Sequence, residues 1–470
     1  MTTNNHPPTK RGHVRPSGAS YPDNRPTLIG FLPSLTSLAK TGANYPHHAR
    51  LINSGDIAYT YGGALLTSGR NFGIWNFQMS PEEVNEKFSK VIFFLPCRIA
   101  PPPFDEDGYA FEYVINFIER LKIPFFSLSE SIQAQSYEYI TDLHKTLSPK
   151  VVRYLKTIAD RSPIVGTRGT YSAETLSRLG IKNAVPLGCP SLFLNGPALK
   201  SSLLQPPQDP RRVAVCYSNY QKNPHSRIAD FLQFAEHSNY HYIEQEFGLA
   251  IQALHYPGKI SSKSIQSAKK SYQDLTPIIS LLEKGLVHYF SAYPTWKKFM
   301  ETIDFAFGAR MHGLTPAIHA GKPAVFIAHD ARVREMCEFF CLPFVAERNL
   351  PETLNINFFL SRCDYDAASK RYRTAYQNFL DTLEQCGLNE NIDSDGRIID
   401  DWTPEVDPQL AKEEILAHCT PDEIATLRRQ VDMCENTADT SSRIQAMAQE
   451  WYLARIARKK DIPPTAAPKN

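Results

Sequence analysis

No stretch of this 470-residue chain approaches the roughly 18 uninterrupted apolar residues that a spanning helix needs, so no membrane segment is expected. No dense block of Lys and Arg appears either. With 51 basic and 49 acidic residues the formal charge is only +2, which gives no reason to expect a nucleic-acid surface. The glycine fingerprints of common nucleotide folds are missing: no G-x-G-x-x-G opens a helix, and there is no G-x-x-x-x-G-K-[ST] loop. No G-x-S-x-G elbow marks a hydrolase serine. Nine cysteines (Cys97, Cys189, Cys216, Cys337, Cys341, Cys363, Cys386, Cys419 and Cys434) include no C-x-x-C pair. Cys337 and Cys341 are four apart on an expected helix, but no nearby His or Cys pair completes a metal site, so no metal is expected. The thiols fit a reduced, cytoplasmic protein. The polar opening MTTNNHPPTKRGHVRPSGAS has no apolar core and reads as neither signal peptide nor anchor.

What is present is globular. Hydrophobic residues make up 42% and charged residues 21%, and the length suggests two domains with appendages. After a disordered leader over 1–26, strand signals fall at Thr27–Phe31, Ile57–Tyr61, Lys90–Leu95, Pro124–Leu128, Ile164–Thr167 and Ala184–Leu187. Helical patterns lie at Tyr109–Leu121, Ser148–Ile158 and Ser172–Leu179. This α/β alternation predicts a mostly parallel sheet in a first domain over 27–195. The proline-rich stretch 196–211 reads as a linker. A second domain over 212–345 alternates strands at Val213–Tyr217, Gly248–Leu254, Leu286–Phe290, Asp304–Phe307 and Ala324–Ala328 with helices at Pro224–His237, Ser264–Glu283, Pro294–Thr302, Gly313–Ala320 and Ala331–Phe340. A helical closing segment follows over 346–400. Its Tyr372, Tyr376, Phe379 and Leu383 have core spacing and Gly387 is a stop. A helical tail occupies 401–470.

Four segments carry candidate chemistry. Arg310 and His312 flank one residue at the carboxyl end of a strand, where an open α/β sheet places its ligand. Gly313 permits close backbone approach, the next helix aims its N-terminus at the same point, and Pro316 is expected in that helix's first turn. Guanidinium, imidazole and helix end together suit a phosphate or carboxylate. An Arg paired with a carboxylate and a His capping the sheet edge would be the purely structural explanation. Arg168 ends another strand, with Thr170 or Ser172 expected to cap the following helix. Asn53, Gly55 and Asp56 form a turn, and glycine-requiring loops explain it equally well. In HDARVRE, Arg332 can reach the same cleft, while Asp330 can serve simply as a helix cap. His255, His288 and His319 are expected to be ordinary packed or surface histidines.

These residues resemble the polysaccharide pyruvyl transferase family. GARMHGLTPAIHAGKPAVFIAHDARV looks like its R-x-H turn, small-residue helix and G-x-P strand, and NSGD at 53–56 looks like its early N-x-G-D turn. VGTRGTYSAETLSRLGI and the tyrosine-rich helix ending at Gly387 are similar to its later segments, so the resemblance spans about residues 27–390. Three departures are plain, one being that the tail beyond about Asp400 has no counterpart in the family. Cys189 stands where the family has the acid of G-D-P-[AS]-L, and Arg332 stands where Lys is common.

The resemblance implies an α/β fold of two Rossmann-like domains facing a cleft, as in GT-B glycosyltransferases, with the C-terminal helices as an extension. It implies phosphoenolpyruvate as donor substrate and no cofactor. The acceptor would be a sugar of a surface polysaccharide, its lipid-linked precursor or a glycoconjugate. Arg310 would clamp phosphate or carboxylate, His312 would handle protons or phosphate, and Arg168 and Arg332 would stabilise charge. Asn53, Asp56 and Gly313 join the substrate-binding set. Two other readings stay open: a GT-B glycosyltransferase using a nucleotide sugar, and a non-catalytic binding protein. The C-terminal helices offer a surface for a second copy or a partner.

Overall fold

The computed structural model describes residues 25, 27–30, 54–67, 79–94, 99–100, 111–133, 137–199, 204–217, 226–245, 248–255, 260, 262–290, 292–389, 391–399 and 418–436. Asn53, Cys97, His47, His48 and the leader apart from residue 25 lie outside them. So do the side chains of Asp56 and His255, and the tail beyond 418–436.

Two parallel sheets organise the chain. The first runs in chain order, β1 (Thr27–Gly30), β2 (Lys90–Phe93), β3 (Phe125–Glu130), β4 (Val165–Thr167) and β5 (Ala184–Pro186). The second has the order β11-β10-β9-β6-β7-β8. Its strands are β6 (Val213–Val215), β7 (His241–Ile243), β8 (Val287–His288), β9 (Phe305–Gly308), β10 (Ala324–Ala328) and β11 (Phe344–Ala346). The strands are wholly buried in β3, β4, β6, β9 and β10, as expected where helices cover both faces. The fold is thus α/β with two Rossmann-like units. Strand order in the second sheet reverses between β6 and β9, and such a switch point opens a crevice at the strands' carboxyl ends.

Several elements differ from their sequence patterns. Ile57–Tyr61 is not a strand but part of helix α1 (Gly55–Thr67). Its described residues are all buried, so its apolar run has no readable period. Gly62 and Gly63, which suggest a turn, lie against the Pro190 backbone and the Phe94 ring. Gly248–Leu254 likewise falls in a helix, Leu249–His255, and the strand there is His241–Ile243. The expected helix Ser264–Glu283 is two, Ser262–Tyr272 and Thr276–Glu283, broken at Gln273, whose φ is 63°. Strand β11 straddles residue 345, the expected end of the second domain.

The closing segment belongs to both units. Tyr365 donates its hydroxyl to the Ala324 carbonyl at 2.7 Å, in the second sheet. From the long helix Asp366–Gln385, Tyr372 donates to the carbonyls of Leu192 and Gly196, each at 3.0 Å. Asn391 then reaches the Leu65 carbonyl on α1 at 2.7 Å. In the tail, Pro421–Asn436 packs on the second unit, where Arg428 pairs with Glu283 at 2.8 Å. Among the described residues no helix is long and apolar enough to cross a membrane.

Candidate functional site

The site grows from the switch point. β9 ends at Gly308, where φ is 154° and an added Cβ would lie 2.1 Å from the Cys216 carbonyl oxygen. Only glycine fits that close crossing, and it carries the chain over the end of β6. Arg310 follows, fixed by its own N–H donating to that same Cys216 carbonyl at 3.1 Å. Arg310 is also the N-cap residue of α12 (Met311–His319), helices being numbered in chain order. The helix begins two residues earlier than its pattern suggests, so Pro316 sits in the second turn rather than the first. Its missing N–H takes the backbone donor from the His312 carbonyl. Gly313 packs against Gln245 at the end of β7, where a Cβ would meet the Gln245 side-chain nitrogen at 2.0 Å.

His312 therefore stands in the first turn of α12, facing the first unit. Its Nε2 is 3.5 Å from the Cys189 sulfur, and its ring is 5.2 Å from that of Tyr59 on α1. Cys189 is fully buried and also lies 3.1 Å from the Ser191 hydroxyl. The residue keeps some accessible surface, yet its imidazole is deep enough that burial leads in lowering its pKa well below the ordinary histidine range. The charges of Arg168, Arg332 and Arg310 add to that depression, in that order. At neutral pH His312 is an uncharged imidazole among cations, able to accept a proton.

Arg168 reaches this point from β4 of the first sheet. It is 1% exposed, donates from Nε to the Ser129 hydroxyl at 3.1 Å, and lies over the Tyr59 ring at 4.9 Å. Its Nη2 has no hydrogen-bond partner among the described residues. A buried guanidinium nitrogen with nothing to bond is costly unless a ligand supplies the acceptor. Arg332 bridges the units by donating to the Gln133 side-chain oxygen at 3.1 Å, with Asp330 3.5 Å away. Asp330 is also a helix cap, its Oδ1 accepting from the Val333 N–H at 2.8 Å. Arg168, Arg310, Arg332, His312 and Gly313 are thus brought to one junction.

Of the early turn, Ser54 is described. Its N–H donates to the Gln245 carbonyl at 3.0 Å, bringing the start of α1 to the same crevice. The pattern of the sequence misses Tyr59, hidden in the helix that reads as a strand. It also misses Glu335. Neither Thr170 nor Ser172 caps its own helix; the cap residue is Gly169 and has no side chain to use. Glu335 takes that place from the second unit, accepting from the Ser172 N–H at 2.6 Å and its hydroxyl at 2.8 Å. Burial pushes its carboxyl up to about 7. Among the described residues no group of three or more His, Cys, Asp or Glu side chains is arranged to hold a metal ion. His319 is buried, donated to by the Tyr293 hydroxyl, and His288 is buried against His241 at 2.9 Å.

Residues 103–331 match the family model described as polysaccharide pyruvyl transferase. No curated protein matches the chain. Among solved structures it is similar to a UDP-N-acetylglucosamine 2-epimerase from Rickettsia bellii, at 14% identity over 77% of this chain and 96% of that one, with a TM-score of 0.39. A putative UDP-N-acetylglucosamine 2-epimerase from Listeria monocytogenes is 10% identical over 80% and 100%, with a TM-score of 0.37. The wall teichoic acid polymerase TagF is 11% identical over 78% and 85%, at 0.31.

Proposed function

Taking as premise that residues 103–331 place the chain in the polysaccharide pyruvyl transferase family, a family of transferases, we propose that it moves the pyruvyl group of phosphoenolpyruvate onto two hydroxyls of one sugar as a ketal. The sugar belongs to a surface polysaccharide, its lipid-linked precursor or a glycoconjugate, and the reaction takes place in the cytoplasm without a cofactor. The observation that carries this reading is the convergence of three guanidiniums from two units on one uncharged imidazole at the switch point. The donor carries a phosphate and a carboxylate, and Arg is the side chain best shaped for both.

The chemistry follows from those charges. Arg310 and Arg168 hold the donor's anionic groups, with Arg332 adding field from the rim. One acceptor hydroxyl adds to the donor's C2, and a proton goes to its methylene carbon, which becomes the methyl group. The second hydroxyl then forms the second C–O bond as the C–O bond to phosphate breaks, and its proton leaves with the phosphate. The two hydroxyl protons are thereby accounted for. His312, uncharged at rest, accepts a hydroxyl proton and passes it on. Asn53 and Asp56, which the family resemblance brings in, complete the substrate-binding set with Gly313.

The test is phosphate release from phosphoenolpyruvate with β-galactoside and N-acetylmannosamine acceptors, run beside a thermal-shift series. Phosphoenolpyruvate at a hundred times its Kd should stabilise the chain by about 2.7 kcal/mol. A shift with nucleoside diphosphates but none with phosphoenolpyruvate would point instead to a glycosyltransferase using a nucleotide sugar. No shift and no release with any acceptor would favour the non-catalytic reading.

A further inference from the structure

The helix after Arg168, Thr170–Arg178, depends on the other unit for its first turn. Glu335 uses both carboxylate oxygens on Ser172, and it is 2% exposed. Space for it exists only because residue 169 is glycine, where a Cβ would lie 2.3 Å from the Glu335 Cγ. The Arg168 peptide is held on its other side by its own sheet, its N–H donating to the Glu130 carbonyl at 2.9 Å. Neighbours of Glu335 on the helix Ala331–Phe340 hold the same rim. Arg332 bonds Gln133, Glu338 accepts from Tyr139 at 2.6 Å, and the Arg334 guanidinium lies 4.1 Å from the Tyr139 ring centre. The Arg168 charge favours the ionised carboxylate and Glu338 opposes it. Tyr139, Tyr171, Glu174 and Arg371 face Glu335 across a cavity of about 440 Å³.

We propose that Glu335 is a positioning residue for Arg168: by capping the Thr170–Arg178 helix across the domain junction, it fixes the start of that helix, and with it the orientation of the preceding Arg168 guanidinium towards its anion, when the two units are docked. The proposal rests on the reading of Arg168 as an anion-binding residue. A helix cap supplied by its own chain segment would hold Arg168 whether or not the units met. A cap supplied 163 residues away adds its hold, beyond those of Glu130 and Ser129, only when they do.

The experiment is a double-mutant cycle read by calorimetric binding of inorganic phosphate to the full chain, with Tm recorded for each variant. Its members are wild type, Glu335→Gln, Arg168→Lys and the double variant. Replacing one of the two oxygen acceptors by an amide donor facing Ser172 should weaken phosphate binding roughly ten- to a hundredfold in Glu335→Gln. In the Arg168→Lys background the same change should add almost nothing, because its effect runs through the guanidinium. Additive losses in the cycle would overturn the proposal. Ser172→Ala, which keeps the N–H and buries no new charge, is the second entry to the cycle if Glu335→Gln does not fold, and a smaller loss that again vanishes beside Arg168→Lys is expected. Where the enzyme turns over, the KM for phosphoenolpyruvate should rise in Glu335→Gln with kcat changed less. A coupled phosphate cycle in a chain that transfers no pyruvyl group would sink the proposed reaction and keep the positioning role. An additive cycle in an active enzyme would do the reverse.

Discussion

Cys189→Asp puts a carboxylate where a thiol now lies 3.5 Å from His312 Nε2. It restores the acid that the related sequence pattern carries at this position. Burial and three arginines all depress the imidazole. A carboxylate within about 4–6 Å raises a neighbouring cation's pKa by roughly 1–3 units, or about 1.4–4 kcal/mol in favour of imidazolium. An aspartate is one atom longer than the cysteine, so its oxygens reach the ring without moving α12. Its charge must be buried at a fully enclosed position, which should lower Tm by a few degrees while the nearby guanidiniums offset part of the cost. The assay is a proton NMR titration of the His312 C2 resonance in the ligand-free chain, beside the pH profile of kcat/KM for phosphate release. His312 is needed uncharged, so the acid limb should move to higher pH by the same 1–3 units, and activity at pH 6 should fall more than at pH 8. Cys189→Ser should leave the limb in place. If Cys189→Asp folds with near-native Tm and neither resonance nor limb moves, His312 is not the group that titrates in the reaction.

Arg310→Ala should cut kcat/KM for phosphoenolpyruvate roughly 10²–10³-fold with Tm within a few degrees of wild type; if the variant unfolds instead, Arg310 is a structural residue and its assignment fails. Burial raises the Glu335 carboxyl from 4.5 to about 7, so as pH rises the unfolded chain gives up this proton before the folded one does. The group's stabilisation is therefore full below pH 4.5 and is lost by about pH 7, by roughly 3 kcal/mol. Urea unfolding at pH 5 and pH 8 should show that loss in wild type and not in Glu335→Gln, and identical pH slopes would refute it. Gly308→Ala should destabilise by roughly 3 kcal/mol or more or prevent folding, since φ is 154° and the Cβ would sit 2.1 Å from a backbone oxygen. A near-native urea midpoint would show that the β6–β9 crossing relaxes easily.

Ala324–Ala328 and Ala331–Phe340 are legible in the sequence because they have clear strand and helix lengths and sharp ends. A capping Asp330 and a left-handed Cys341 explain that sharpness. Arg310 and His312 stand out in the sequence because they follow a short apolar strand and precede a small-residue helix. In Gly55–Thr67 and Leu249–His255 every described side chain is buried, so neither period 2 nor period 3.6 stands out. Tyr59 went unseen for that reason. Glu335 went unseen for another: it reads as one charge among five in DARVRE and its neighbours, and only the tertiary structure shows it serving Ser172. Sequence spacing carries no trace of a cap supplied across 163 residues.

The two halves of the junction have a shared electrostatic consequence. Arg168 and Arg310 are 1% and 5% exposed, and they come from different sheets. Holding two such guanidiniums near one uncharged imidazole costs hydration, and the Arg168 Nη2 has no partner among the described residues. Glu335 offsets the charge of Arg168 from behind, but burial raises its carboxyl and weakens that offset. The donor's phosphate and carboxylate, on the proposed reading, complete this balance from the front. A ligand that neutralises Arg168 on one unit and Arg310 on the other must also hold the units together. On that reading, binding of the donor favours the docked arrangement of the two units.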